Sequence, residues 1–185
     1  ASTGYPSGGK DKVESWDGSS WSEVAEPNTP RDSTSGTGES NTSAIIYGGY
    51  NPPQVYETET EVWDGSSWTE VADLNTGRRN SSKSGTATSA ITAGGTTQPG
   101  IRDEVESWDG TAWTEVNELN TDREQMGAGG ADNTSAIVFG GAINTSGGDT
   151  VNAEQWNGTS WTEVANLSTE RFGLGGSSAG VAASI

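Results

Sequence analysis

Two sets of repeated glutamates are the first residues in this chain whose type and spacing could support chemistry. One glutamate stands two residues before a tryptophan and another stands two residues after the next tryptophan, in four places: Glu14, Glu61, Glu106 and Glu154, with Glu23, Glu70, Glu115 and Glu163. Paired carboxylates act as acid and base or nucleophile in glycoside hydrolysis. An active site is normally singular, whereas these residues repeat, so we interpret them as structural or solvent-facing side chains.

An arginine repeats with the glutamates, ten residues after the second tryptophan each time: Arg31, Arg78, Arg123 and Arg171. We interpret it as a tie between neighbouring repeats, bonded to a carboxylate or to a backbone carbonyl. The chain contains no Cys and no His, which removes disulfides, thiolate metal sites and the commonest general base. We therefore expect no cofactor, no metal site and no enzyme activity.

A carboxylate outside the repeated positions is the exception through which the chain could catalyse a reaction. Glu57 or Asp149 would then act beside Tyr56 or Arg102 in a central or loop-face pocket. The sequence does not assure a second carboxylate at the separation that a glycosidase needs. A glycosidase or lyase acting on surface polysaccharide is therefore the alternative interpretation.

Composition and charge limit the class of protein and its partners. The 185 residues are 29% hydrophobic and include 27 Gly and 8 Trp, and they carry a net charge of −17. That charge repels the phosphate backbone of nucleic acid and an anionic membrane surface, so we exclude both as main partners. No run approaches the ~18 apolar residues of a membrane span, so we also exclude membrane insertion. The length fits one domain, which we place at residues 1–185.

The tryptophans reveal the elements that must position these groups. They form four pairs five residues apart: Trp16 and Trp21, Trp63 and Trp68, Trp108 and Trp113, Trp156 and Trp161. Successive pairs are separated by 47, 45 and 48 residues. Asp-Gly or Asn-Gly lies inside each pair, which predicts a tight hairpin because both residues tolerate a positive φ. Apolar and polar residues alternate after each pair, so we predict an all-β protein with essentially no helix.

A double glycine after an apolar strand, followed about 15 residues later by an aromatic residue and then by a tryptophan, resembles the kelch repeat. The resemblance covers almost the whole chain, although the family usually has Tyr at the first tryptophan. It implies a β-propeller of four-stranded blades, four repeats per chain. The first strand of each blade follows the arginine, the second ends at Gly-Gly, and the third and fourth flank the tryptophan hairpin.

The two ends of the chain are complementary within this repeat, since the chain starts before a third strand and stops in or after a second strand. Pairing of the N- and C-terminal half-blades would hide sheet edges that otherwise recruit other chains. The pairing can occur within one chain, or between chains to give an eight-bladed dimer or a filament. The sequence leaves these alternatives open.

The segments between the second and third strands differ from repeat to repeat, and individual loops on a repeated scaffold are typical recognition elements. They span residues 50–58, 96–103 and 142–152, with a fourth, N-terminal segment at residues 4–12. Our candidate ligand-binding residues lie there: Tyr50, Gln54, Tyr56, Gln98, Arg102 and Asn144. Exposed tryptophans could instead bind sugars in a multivalent lectin, although repeated tryptophans are more often core residues.

The near-identical repeats also resemble tandem kelch-type repeats in structural proteins of marine tailed phages. That resemblance implies a non-enzymatic structural or recognition module of a virion or extracellular surface assembly, such as an adhesive tail fibre. Its partners would be other structural chains, further copies of itself in an oligomer, or a cell-surface glycan.

Circular dichroism tests the predicted fold class. We expect a β-rich spectrum with an exciton couplet from the tryptophan pairs and negligible helix, because propeller blades are built from strands alone. A helical content above about a tenth would contradict the propeller assignment.

Overall fold

The computed structural model describes residues 12–53, 55–143 and 148–177. Within these ranges the chain is all-β and contains no helix, in agreement with the sequence prediction. The described strands form three four-stranded antiparallel sheets and three two-stranded sheets. No helix of the described residues is long and apolar enough to span a membrane.

The strands follow the repeats in chain order. The first repeat supplies the N-terminal hairpin, β1 (Glu14–Trp16) and β2 (Trp21–Glu23). Sheet 1 contains β3 (Ser35–Ser40), β4 (Ser43–Tyr47), β7 (Thr60–Trp63) and β8 (Trp68–Glu70), with a small hairpin of β5 (Tyr50–Asn51) and β6 (Val55–Tyr56) between β4 and β7. Sheet 2 contains β9 (Ser84–Gly85), β10 (Ala90–Ala93), β13 (Val105–Trp108) and β14 (Trp113–Val116), with the small hairpin β11 (Thr96–Thr97) and β12 (Gly100–Ile101). Sheet 3 contains β15 (Gly127–Asp132), β16 (Ser135–Phe139), β17 (Ala153–Trp156) and β18 (Trp161–Val164).

Each tryptophan pair closes a hairpin between the third and fourth strands. Trp63 and Trp68 are register partners across β7 and β8, and their ring centroids lie 5.3 Å apart. The other three pairs have the same register and nearly the same ring geometry. The five-residue spacing therefore places two indoles side by side at one end of every hairpin.

The hairpin turn differs from the prediction in one respect. Partners five residues apart leave four residues in the loop, so the turn is wider than a two-residue Asp-Gly turn. Gly65 has a positive φ of 97°, whereas Asp64 does not share that conformation. Instead, the Asp64 side chain accepts hydrogen bonds from the backbone of Ser67 and Ser66, which lower its pKa to about 2. The aspartate acts as an internal cap of the loop.

The first strands of successive sheets lie side by side, which gives a propeller-like arrangement. The Thr37 hydroxyl of β3 donates to the Gly85 carbonyl of β9, and the Ser35 hydroxyl donates to the Ser81 carbonyl. Beyond sheet 3, Ser177 forms a parallel bridge with Gly129 of β15. The hydrogen bonds within each sheet are antiparallel, whereas this bridge between adjacent units is parallel.

The core lies between successive sheets, because each tryptophan pair packs against the preceding sheet. Trp113 of sheet 2 makes an edge contact with Tyr47 of sheet 1 at 4.8 Å, and its indole Nε1 donates to the Thr60 hydroxyl at 3.0 Å. Trp161 occupies the same place against sheet 2, where Val105 replaces the threonine. The Trp161 Nε1 has no hydrogen-bond acceptor among the described residues.

A buried arginine in each linker joins two neighbouring sheets. The Arg78 carbonyl accepts a hydrogen bond from Gly49 N of sheet 1, while its guanidinium pairs with Glu106 of sheet 2 at 2.7 Å. Arg78 also donates to the Gly94 and Glu104 carbonyls. Equivalent buried ion pairs join Arg31 to Glu61 and Arg123 to Glu154. The repeated arginine thus bonds to both kinds of acceptor considered from the sequence.

An asparagine completes each ion pair. The backbone and side-chain nitrogens of Asn75 donate to the second carboxylate oxygen of Glu106 at 2.8 and 2.9 Å. Asn28 and Asn120 do the same for Glu61 and Glu154. Both oxygens of each buried carboxylate are therefore bonded, which is the condition under which a buried ion pair is tolerated.

The double glycine is required by this arrangement. A Cβ at Gly48 would lie 2.4 Å from the Arg78 carbonyl oxygen, and Gly48 itself has a φ of +60°. Only glycine permits both the close backbone approach and the left-handed conformation.

Replacement of one arginine tests its structural role. We expect Arg78→Ala to lower the free energy of unfolding by about 3–5 kcal/mol, because the Glu106 carboxylate would stay buried without its cation. Denaturant unfolding measures the change. Lys83→Ala, which removes an exposed cation, should change stability by less than about 0.5 kcal/mol. Equal effects of the two substitutions would contradict the role assigned to Arg78.

Candidate functional site

One end of the sheets carries the individual side chains of this protein. The antiparallel order places the β4–β7 connection and the linkers between sheets at the same end, whereas the β3–β4 and β7–β8 turns lie at the other. We call the first end the loop face. It contains the described residues of three segments that the sequence predicted to be recognition loops, 50–58, 96–103 and 142–152, whereas residues 4–11 of the fourth lie outside the described residues.

The residue after each repeated arginine is fixed on this face by backbone pairing. Asp32 pairs with Tyr50, Arg79 with Thr96 and Glu124 with Ala142, in each case the residue that follows Gly-Gly. The chemical identity at this position changes from carboxylate to guanidinium to carboxylate. The backbone therefore holds three different charged groups in equivalent places.

The second residue after each repeated arginine adopts a left-handed conformation. Ser33, Asn80 and Gln125 have φ values of 55°, 57° and 52°, and Gly173 has 66°. Their backbones are linked in sequence, since Asn80 N donates to Ser33 O, Gln125 N to Asn80 O and Gly173 N to Gln125 O. Left-handed residues other than glycine are uncommon and cluster at functional sites. This chain of hydrogen bonds fixes the spacing between the variable charged residues.

An arginine lies over two tyrosines on the loop face. Tyr50 and Tyr56 are register partners in the small hairpin, with ring centroids 5.5 Å apart and an edge-to-face angle of 65°. The Arg79 guanidinium carbon lies 4.7 Å from the Tyr50 centroid and 5.7 Å from that of Tyr56. We call these three residues the Tyr–Arg cluster. Its amphipathic rings and guanidinium can combine stacking with hydrogen bonding.

A second polar group joins sheets 2 and 3 on the same face. The Asn80 side-chain amide and the Thr96 hydroxyl both donate to one carboxylate oxygen of Glu124. Arg79 and Asn80 are adjacent in the chain, so the Tyr–Arg cluster and this group share one linker. The loop face is consequently a continuous polar and aromatic surface.

Two carboxyl groups meet beside the Tyr–Arg cluster. Burial raises the pKa of Glu57, and a hydrogen bond and like charge from Glu59 raise it further. The Asn51 side chain and the Arg31 charge act in the opposite direction. The net result is a carboxyl group whose protonated form is favoured relative to a free glutamate.

The structure distributes the predicted ligand-binding residues over separate loops. Tyr50 and Tyr56 are brought together, and the Arg102 guanidinium donates to the Gln98 carbonyl within the next loop. Gln54 and Asn144 lie outside the described residues. Asp149 pairs with Ala142 in the loop of sheet 3, so it does not belong to the hairpin that carries Glu57 and Tyr56.

Sequence reasoning missed Asp32, Arg79 and Glu124, together with the Glu57–Glu59 contact. A signal for the first three was present, because each directly follows the repeated arginine and differs in type between repeats. In the described parts of the chain, no group of three or more acidic side chains is arranged to hold a metal ion.

The four-stranded antiparallel sheets and their side-by-side first strands define a propeller-like all-β protein. Among solved structures, the chain is similar to that of YjhT, with a TM-score of 0.68 and 14% sequence identity. The match covers 83% of this chain and 57% of YjhT, so the chain spans little more than half of that protein. At this identity the likeness shows the fold alone. No family model and no curated protein matches the sequence.

The raised pKa of Glu57 predicts a pH-dependent stability. A carboxyl group with a higher pKa in the folded than in the unfolded chain opposes folding once it ionises, above the ordinary value of 4.5. We therefore expect Glu57→Gln to be more stable than the wild type at pH 7, with the difference shrinking as the pH falls through 4.5. Denaturant unfolding at several pH values measures this. Glu115→Gln, at an exposed glutamate, should show no such trend, and a Glu57→Gln effect that grows towards acid would contradict the assignment.

Proposed function

We propose that this chain is a non-enzymatic recognition module with kelch-like blades, which presents a single binding surface on its loop face. The observation that carries the proposal is that the repeated residues and the variable residues have separate roles. The repeated Arg, Glu and Asn residues bond in the same way in all three four-stranded sheets, whereas the residues that differ between repeats gather on one face. A rigid frame that displays individual side chains suits recognition.

The contact between Glu57 and Glu59 supports binding over glycoside hydrolysis. Glycosidases separate their two carboxyl groups by about 5 Å or more, so that the sugar or a water molecule fits between them. Glu57 and Glu59 share a hydrogen bond, and Glu57 is buried. Two carboxyl groups that interact this directly, one of them buried, leave no space for a sugar between them.

The Tyr–Arg cluster supports one site in preference to several equivalent ones. The position of Tyr50 is occupied by Thr96 and Ala142 in the next two sheets, so the aromatic pair does not repeat. The tryptophans of the three four-stranded sheets are buried and unavailable for stacking on sugars. These features favour a single recognition surface over a multivalent lectin.

We further propose that the module belongs to a virion or extracellular surface assembly and binds a cell-surface glycan. The support is the repeat resemblance to tailed-phage structural proteins, the high acidity of the chain and the aromatic and amide groups of the loop face. The finer architecture is also part of this proposal: four repeats form blades around one axis, and the N- and C-terminal half-blades pair, within one chain or between chains.

A glycan-binding array, followed by titration calorimetry on any positive glycan, tests this function. We expect binding without turnover of sialylated, uronic or neutral polysaccharides. Tyr50→Ala should weaken binding at least about 10-fold, because a central aromatic contact usually dominates binding energy.

Val55→Ala is the matched control, since Val55 is an exposed residue of the same hairpin outside the Tyr–Arg cluster. It should leave the affinity within about 2-fold of the wild type. Turnover of a polysaccharide that is abolished by Glu57→Gln would overturn the proposal in favour of an enzyme.

A further inference from the structure

The two tryptophans of the N-terminal hairpin are exposed, in contrast to their six equivalents. Trp16 and Trp21 are 44% and 60% exposed, whereas none of the other six exceeds 8%. The hairpin itself is formed, since Trp16 and Trp21 are register partners and their rings lie 5.4 Å apart. In sheets 1 to 3 this tryptophan face packs on the preceding unit of the array. The N-terminal hairpin therefore presents one side of an interface, and no other described residue covers it.

Sheet 3 presents the surface that is complementary to this tryptophan face. Ile137, Phe139 and Leu167 are partly exposed. Their equivalents in sheets 1 and 2 are buried, because they receive the tryptophans of the following sheet: Ile45, Tyr47 and Leu74, with Ile91, Ala93 and Leu119. The Tyr47–Trp113 contact is the internal template for a contact of Phe139 with Trp21.

The two open faces also carry one unpaired charge each. Arg171 holds the same backbone position as the buried arginines, since its carbonyl accepts from Gly141 N and its Nε donates to the Thr169 carbonyl. Its guanidinium is exposed and pairs with no carboxylate among the described residues. Glu14 occupies the place of Glu61, Glu106 and Glu154 in the hairpin and is equally exposed. The missing partner of each is present at the opposite end of the chain.

We infer that these two faces bind a second copy of this chain, head to tail. The Trp16–Trp21 face of one copy would cover Ile137, Phe139 and Leu167 of the other, and Arg171 would enter the Glu14 site. Both faces are open at the same time in a single chain, which argues for pairing between copies over closure within one. Three interfaces inside the chain already show that this combination of residues fits.

This inference develops the half-blade pairing of the proposed function, but its test does not use ligand binding, so either can fail without the other. A charge-exchange experiment separates pairing between copies from closure within a chain. Glu14→Arg gives a chain with arginine at both faces, and Arg171→Glu gives a chain with glutamate at both. Each variant alone should lose self-association at least about 30-fold, as expected for a reversed charge in a buried pair.

An equimolar mixture of the two variants should recover association, because every junction then joins arginine to glutamate. Sedimentation equilibrium over a concentration series measures the masses, and tryptophan emission should shift to shorter wavelength as Trp16 and Trp21 become buried. Glu115→Arg and Lys83→Glu make the same charge changes at exposed positions outside the faces. They should associate like the wild type.

Two results would overturn the inference. One is a wild-type chain that stays monomeric at every concentration. The other is a mixture of Glu14→Arg and Arg171→Glu chains that stays as dissociated as each variant alone. Because both substituted residues are exposed in the single chain, each variant is expected to fold, and unfolding curves check this directly.

Discussion

The buried pairing of a linker arginine with a glutamate of the following sheet is the interaction on which the arrangement of this protein depends. A buried ion pair is tolerated only when its remaining donors and acceptors are satisfied. Here an asparagine bonds to the second carboxylate oxygen, and three backbone carbonyls accept from Arg78. Because the Arg78 main chain is bonded to the preceding sheet, one residue sets both the order and the distance of two sheets.

The positions of the side chains on the loop face depend on these buried ion pairs. Asp32, Arg79 and Glu124 directly follow the buried arginines, so the groups that differ between repeats are attached to a backbone that is bonded on both sides. The left-handed residues that come next are bonded to one another across the sheets. Side chains on such a frame lose little conformational entropy on binding, which is the physical advantage of a preorganised surface.

The repeat pattern was sufficient to predict the all-β class and the tryptophan hairpins, because period-two alternation and turn residues are local signals, whereas the four strands of each unit followed from the resemblance to kelch repeats. The partners of Arg78 were not predictable in detail, since Glu106 is 28 residues away and nothing local distinguishes it from the exposed Glu115. The same limit applies to the candidate site. Tyr50 and Tyr56 meet through a local hairpin and were found from the sequence, whereas Arg79 reaches them from the next linker.

The indole nitrogen of Trp161, which has no acceptor among the described residues, affects the order in which the repeat units pack best. Trp113 bonds to the hydroxyl of Thr60, but the equivalent position ahead of Trp161 is Val105. A buried donor without an acceptor costs roughly 1–3 kcal/mol, so this position lowers the stability of the contact between sheets 2 and 3. The repeat units are therefore not equivalent in how they pack against one another. A rearranged chain in which sheet 3 followed sheet 1 would place the Thr60 hydroxyl opposite Trp161 and supply an acceptor for its indole.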